Sequence, residues 1–166
     1  MRIMVADDQP KVRFALRVLL ERQAGLEITG EVADAKNLFA QALAIRPDLV
    51  LVSWELPELA LMGSLPALRK ICPPLFFIAL SGRTEARRAA LQAGADAFVS
   101  KTDLPEQLLT AVDRIATIVK RNSQDRERLQ GAKNNRVAEQ PSFVVWSSLV
   151  KWPGLLSLGA VSKQPL

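Results

Sequence analysis

The side chains that could do chemistry are Asp7 and Asp8, Ser53, Ser81 and Lys101. Each follows an apolar run: Ile3 to Ala6, Leu49 to Val52, Leu75 to Leu80 and Ala97 to Val99, the last with Ser100 between. Adjacent carboxylates, two hydroxyls and an ammonium group could together hold a charged ligand. Taken singly, each has a plainer use. Paired aspartates ahead of a helix serve as caps, a lysine after a strand is commonly solvated, and Ser81-Gly82 is ordinary turn chemistry. The question is whether the elements bring them to one place.

Composition narrows the chemistry. The chain has 166 residues, no His and one cysteine, Cys72. The commonest general base and metal ligand is therefore missing, and an internal disulfide is excluded. Neither Ser-His-Asp catalysis nor zinc chemistry is expected. The net charge of +5 is unevenly placed: residues 1–120 hold 15 Lys and Arg against 14 Asp and Glu, and residues 121–166 hold 7 against 3. A basic nucleic-acid face on the first part is not expected. The N-terminus starts on the strand-like Arg2–Ala6 with no long apolar leader, which points to a cytoplasmic protein.

The elements follow from periodicity. Arg2–Ala6 reads as a strand, and Pro10 opens a helix whose Val12, Leu16, Leu19 and Leu20 share a face, with Gly25 as its stop. Leu26–Val32 is a second strand, weakened by Gly30. Asp34 caps a helix over Ala35–Ile45, ended by Pro47. Leu49–Val52, between Pro47 and Pro57, has the length and unbroken apolarity of a strand covered on both faces. A loop through Gly63 and a short helix over Ser64–Ile71 follow, and Leu75–Leu80 is another buried strand. Thr84 caps a helix through Ala93, closed by Gly94, and Ala97–Val99 is a last strand. Asp103 and Glu106 have capping-box spacing before a helix with the stripe Leu108, Val112, Ile115 and Val119.

Strands and helices alternate five times in about 120 residues, which predicts an α/β fold with a doubly wound, five-stranded parallel sheet. Right-handed crossovers would bring the ends of strands one, three, four and five to one edge. Ligands bind at that edge in such sheets. Asp7, Asp8, Ser53, Ser81 and Lys101 should therefore converge.

Residues 1 to about 120 resemble the receiver domain of bacterial two-component response regulators, which has a flavodoxin-like three-layer fold. The resemblance rests on Val5-Ala6-Asp7-Asp8-Gln9-Pro10, on Pro47-Asp48-Leu49-Val50-Leu51-Val52, on Ala79-Leu80-Ser81-Gly82 and on Ala93-Gly94-Ala95-Asp96-Ala97-Phe98-Val99-Ser100-Lys101, in that order. It implies that Asp7 and Asp8 help bind Mg²⁺, together with an acceptor carboxylate and the backbone carbonyl of Glu55. It further implies that Lys101 pairs with a phosphate oxygen, that Ser81 bonds the phosphoryl group, and that Phe98 repacks as part of a switch.

In the family an aspartate stands where this chain has Ser53. A serine hydroxyl is protonated at neutral pH and needs an adjacent base, and none is evident in the sequence. Losing the carboxylate also removes one ligand, so Mg²⁺ should bind weakly. The expectation is a pseudo-receiver: a non-enzymatic signalling module working through a histidine kinase, an output protein or a second copy, without conventional aspartyl phosphorylation. One alternative is a phosphorelay protein accepting phosphate at Ser53 or a nearby carboxylate. The other is a transcription regulator that has lost its DNA-binding domain.

After Val119 no helix-turn-helix pattern is found, so DNA is not an expected partner. Residues 121–142 read as a polar linker, interrupted at Gly131 and Asn134-Asn135, and residues 143–166 as an apolar tail with Trp146 and Trp152 and no recognisable output domain. The tail could dock on a partner or touch a membrane surface.

Overall fold

The alternation of apolar side chains along the strands builds two cores, one on each face of a sheet. The computed structural model describes residues 1–57, Leu59 and residues 65–138, with side chains through Gln130. Within the compact unit Met1–Arg128, the order is β1 (Arg2–Ala6), α1 (Pro10–Glu21), β2 (Glu27–Val32), α2 (Ala35–Ile45), β3 (Leu49–Ser53), α3 (Leu65–Ile71), β4 (Phe76–Ser81), α4 (Ala86–Gln92) and β5 (Ala97–Ser100). It ends in α5 (Pro105–Ala138), which runs past the unit's last residue. The five strands are parallel in the order β2-β1-β3-β4-β5. This is the doubly wound sheet expected from the alternation, in the flavodoxin-like form that the resemblance implies.

Successive strand side chains point to opposite faces. Met4, Ala6, Val50, Val52, Phe77 and Ala79 pack with Leu38 and Ala42 of α2, Leu65 and Leu68 of α3 and Ala90 of α4. Ile3, Val5, Leu49, Leu51, Ile78 and Leu80 pack with Leu16 and Leu20 of α1 and with Leu108, Val112 and Ile115 of α5. Helices α2 to α4 thus cover one face, and α1 with α5 the other. β3, central in the order, is buried at all of its positions.

Gly30 sits in a tightly filled part of β2. A Cβ there would lie 3.1 Å from Gln41 Oε1 and 3.2 Å from Ile45 Cδ1, beside a register shift between Ile3 and Met4. Gly94 turns the chain from α4 into β5 at φ +102°, and a Cβ would meet Pro66 Cγ at 3.1 Å. Gly94→Ala should therefore cost about 1–2 kcal/mol, read as a lower urea midpoint with an unchanged m-value.

Asp34 caps α2 as expected: its Oδ1 accepts from Asn37 N at 2.8 Å. That bond, then the Asn37 side-chain amide, holds the carboxyl below its ordinary value of 3.8. Since the folded pKa is the lower one, the cap's contribution is complete above 3.8 and lost as pH falls through the folded value. Asp34→Ala should lower Tm by a few degrees near neutrality and abolish that part of the acid dependence.

Several boundaries differ from expectation. α1 stops at Glu21, with Arg22 as its C-cap, and Gly25 (φ 80°) serves the following turn. α4 starts at Ala86 with Glu85 at the N-cap and no side-chain cap, so Thr84 does not cap it. Asp103 accepts from Ser100 N at 2.9 Å, closing the β5–α5 turn instead of forming a capping box.

The main correction concerns α5. It continues through Gly131 and Asn134-Asn135 to Ala138, where a non-helical linker was expected from Arg121. A glycine costs a helix only about 1 kcal/mol relative to alanine and asparagine less, which is too little to end one without a cap or a proline. The apolar tail 143–166 lies outside the described residues.

Candidate functional site

The sheet brings Asp7, Ser53, Ser81 and Lys101 to the edge formed by the C-terminal ends of β1, β3, β4 and β5. Ser53 pairs with Leu80 across β3 and β4, and Ser81 with Ser100 across β4 and β5. One further backbone bond, from Lys101 N to Ser81 O at 2.8 Å, sets Lys101 at that edge. Asp7, Ser53 and Ser81 are fully buried, whereas Asp8 is exposed.

Lys101 organises the cluster. Its Nζ lies 2.7 Å from Asp7 Oδ2, 2.9 Å from Ser53 Oγ and 3.8 Å from Glu55 Oε2. A buried carboxylate needs such a counter-charge. The ammonium is close to Asp7 Oδ2 but poorly aligned for a hydrogen bond, so charge rather than a directed bond holds that oxygen. Asp7 Oδ1 accepts from Gln9 N at 2.9 Å. Arg13 steadies the acidic turn, donating from Nη1 to the carbonyl oxygens of Asp7 (2.6 Å) and Asp8 (3.3 Å). It is itself paired with Glu31 at 3.6 Å.

Glu55 enters the site through its side chain, where the sequence reading placed only its backbone carbonyl. Oε1 accepts from Ser81 Oγ and lies 3.5 Å from Arg83 Nε; Oε2 accepts from Ser53 Oγ at 3.4 Å. Burial pushes the Glu55 carboxyl upward, but the Ser81 hydroxyl, the Lys101 ammonium, a backbone hydrogen bond and Arg83 pull it the other way and hold the group below its ordinary 4.5. Ser81 Oγ also accepts from Arg83 N at 2.9 Å, which leaves its proton for the carboxylate, the stronger acceptor.

The turn after β3 explains the reach. Trp54 N bonds Leu80 O at 2.7 Å and Leu56 N bonds Ser53 O at 3.1 Å, so the chain folds back on the strand end. Glu55 and Ser53 share no strand face, and the tight turn joins them anyway. Arg83 and Arg13 were also missed, because each acts across a turn whose shape the sequence does not specify. Phe98 is half-buried and packs on the α2–α4 face of the sheet; it makes no hydrogen bond or ion pair with the cluster.

Chemically, the edge holds two buried hydroxyls between two carboxylates and an ammonium. Glu55 is a poor base for Ser53, since a carboxylate held below its ordinary range accepts a proton reluctantly.

Comparison with known proteins gives the same frame. The response regulator receiver domain family matches residues 3–113. SgaR of Hyphomicrobium methylovorum, a probable transcriptional regulatory protein, is 34% identical over 117 residues, covering 69% of this chain and 55% of SgaR. A protein-glutamate methylesterase/protein-glutamine glutaminase of Geobacter sulfurreducens is 30% identical over 104 residues, 61% of this chain and 29% of that enzyme. The chain spans about half the length of SgaR and of YxjL, an uncharacterized transcriptional regulatory protein of Bacillus subtilis. Among solved structures, a LuxR-family two-component response regulator from Aurantimonas sp. SI85-9A1 superposes with a TM-score of 0.61 at 28% identity, over 69% of this chain and 83% of that one. The isolated REC domain of RcsB from Salmonella enterica serovar Typhimurium gives 0.63 at 22% identity, over 70% of this chain and 88% of that one, which speaks for the fold alone. With the match running from β1 into α5, the chain belongs to the response regulator receiver domain family.

Proposed function

We propose that this receiver domain is a pseudo-receiver, a non-enzymatic signalling module that acts by protein contact without conventional aspartyl phosphorylation. The observation that carries the reading is Ser53, a buried hydroxyl at the end of β3, held by Lys101 and Glu55 at the place where the family resemblance calls for an acceptor aspartate. A histidine kinase, an output protein or a second copy is the class of partner, engaged through the face of α4, β5 and α5 that this family uses. We assign it to the cytoplasm on the strength of its family alone.

The side chains at the sheet edge support a weak magnesium site at most. Asp7 supplies a buried carboxylate and the resemblance gives the exposed Asp8 the same role, but residue 53 supplies a neutral hydroxyl, and among the described residues no three acidic, Cys or His side chains are grouped as metal ligands. Lys101 already sets its charge against Asp7 Oδ2. Mg²⁺ binding is accordingly proposed to be weak.

Incubation with a small phosphodonor and Mg²⁺, followed by intact mass measurement, tests the reading. The expected result is an unmodified chain. Stoichiometric phosphate would overturn the proposal, and its loss in Ser53→Ala would then identify Ser53 as the acceptor.

A second reading is favoured by the relatives themselves. SgaR and YxjL are named as transcriptional regulatory proteins, which counts against leaving DNA out of the partners. Their matched stretches cover only about half of each, so a role in transcription comes to this chain as a proposal. Salt-sensitive retention on duplex DNA supports it, and absence of retention at low salt removes direct binding.

A further inference from the structure

Three donors converge beside Ser53 on one acceptor. Ser81 Oγ donates to Glu55 Oε1, Arg83 Nε lies 3.5 Å from that oxygen, and Lys101 Nζ lies 3.8 Å from Oε2. A hydroxyl, a guanidinium and an ammonium around one point are what an oxyanion site consists of. Here the oxyanion is part of the chain. Resting on the reading of Ser53 given above, we propose that Glu55 is a built-in ligand of this site, closing it to small oxyanions and pinning the β4–α4 turn in one arrangement.

The Ser81 and Lys101 contacts carry most of this effect, since Arg83 is more than half exposed and an exposed ion pair contributes little. Ser81, once turned toward Glu55, accepts from Arg83 N at 2.9 Å, so the carboxylate and the backbone of the turn are linked through one hydroxyl. On the other side, Trp54 N to Leu80 O at 2.7 Å fixes the segment that carries Glu55 to β4 itself. The carboxylate, Ser81 and Arg83 are therefore all held at the end of β4. Free anion would have to displace a partner that cannot diffuse away, and effective concentration favours the tethered group.

Excision of the carboxylate with replacement in solution tests the assignment. In Glu55→Ala the Arg83 amide should exchange with solvent about tenfold faster than in the unaltered chain, and added acetate should slow it again. Inorganic phosphate should shift the Arg83 and Lys101 amide resonances saturably in Glu55→Ala and leave them unmoved in the parent. Unaltered exchange in the variant, no response to either anion, or equal phosphate binding by parent and variant would each overturn the proposal. Should Glu55→Ala fail to fold, Glu55→Gln reads the same link: the side chain keeps its shape and loses its charge, so phosphate should shift the Lys101 amide and the Arg83 amide should lose part of its protection. Persistence of full protection there would count against the link. The phosphodonor experiment separates the two claims. A labelled parent chain together with acetate rescue in Glu55→Ala faults the reading of Ser53 and the closure to oxyanions but leaves the pinning of the turn by Glu55, whereas an unlabelled chain without rescue faults the built-in ligand alone.

Discussion

Lys101→Met should destabilise the domain by about 3 kcal/mol, the largest loss expected from any single change at the sheet edge. The cause is Asp7. Its carboxylate is fully buried, and Lys101 Nζ at 2.7 Å is the cation that compensates it. Methionine keeps much of the length of the lysine stem but leaves the carboxylate in a poorly solvated place with no opposite charge beside it. The decisive check is a double-mutant cycle. Asp7→Asn removes the charge that needs compensating, so Lys101→Met should cost much less in that background, with a coupling of roughly 1–3 kcal/mol in urea titrations. Additive losses would mean that Lys101 stabilises by packing of its stem, independently of Asp7.

Ser53→Asp should make the domain respond to Mg²⁺. A carboxylate at residue 53 enters beside Asp7 and Glu55, two groups of like charge, so without metal the variant should be less stable than the parent. A hard divalent ion converts that repulsion into ligation, since the variant supplies a carboxylate where the parent supplies a hydroxyl. A ligand at a hundred times its Kd stabilises the folded state by about 2.7 kcal/mol, which thermal melts with and without Mg²⁺ resolve easily. The parent's Tm should move little over the same titration. A parent that gains as much as the variant would show that Ser53 is not what limits metal binding. The variant should also accept phosphate from a small phosphodonor, with the added mass lost on alkaline treatment as expected for an acyl phosphate.

Much of this was legible in the sequence, and the reasons differ by element. β3 could be read because Leu49 to Val52 is apolar without interruption, and only a strand covered on both faces needs that. The gathering of Asp7, Ser53, Ser81 and Lys101 followed from parallel strands and one-handed crossovers, which fix where strand ends lie without any knowledge of side chains. Contacts made across turns could not be read. The Glu55 carboxylate reaches Ser81 because Leu56 N closes back on Ser53 O, a geometry set by the fit between two loops. Likewise Arg69 of α3 pairs with Asp96 ahead of β5 at 2.6 Å, and the same Asp96 carboxylate takes the Phe77 amide at 2.8 Å. Nothing in the spacing of those residues announces the tie. The end of α5 was misplaced for a different reason: glycine and asparagine were weighed as stops, although a helix can carry both at modest cost.

The way β3 ends has a consequence for how such a protein can change over time. Leu49 to Val52 divide between the two apolar clusters, and Ser53, though equally buried, belongs to neither. The apolar run that the packing uses ends one residue before the polar cluster begins. On the proposed reading, a single replacement at that boundary would change what the domain responds to with the apolar packing of the scaffold left in place, and related domains would then differ in input while presenting the same shape to their partners.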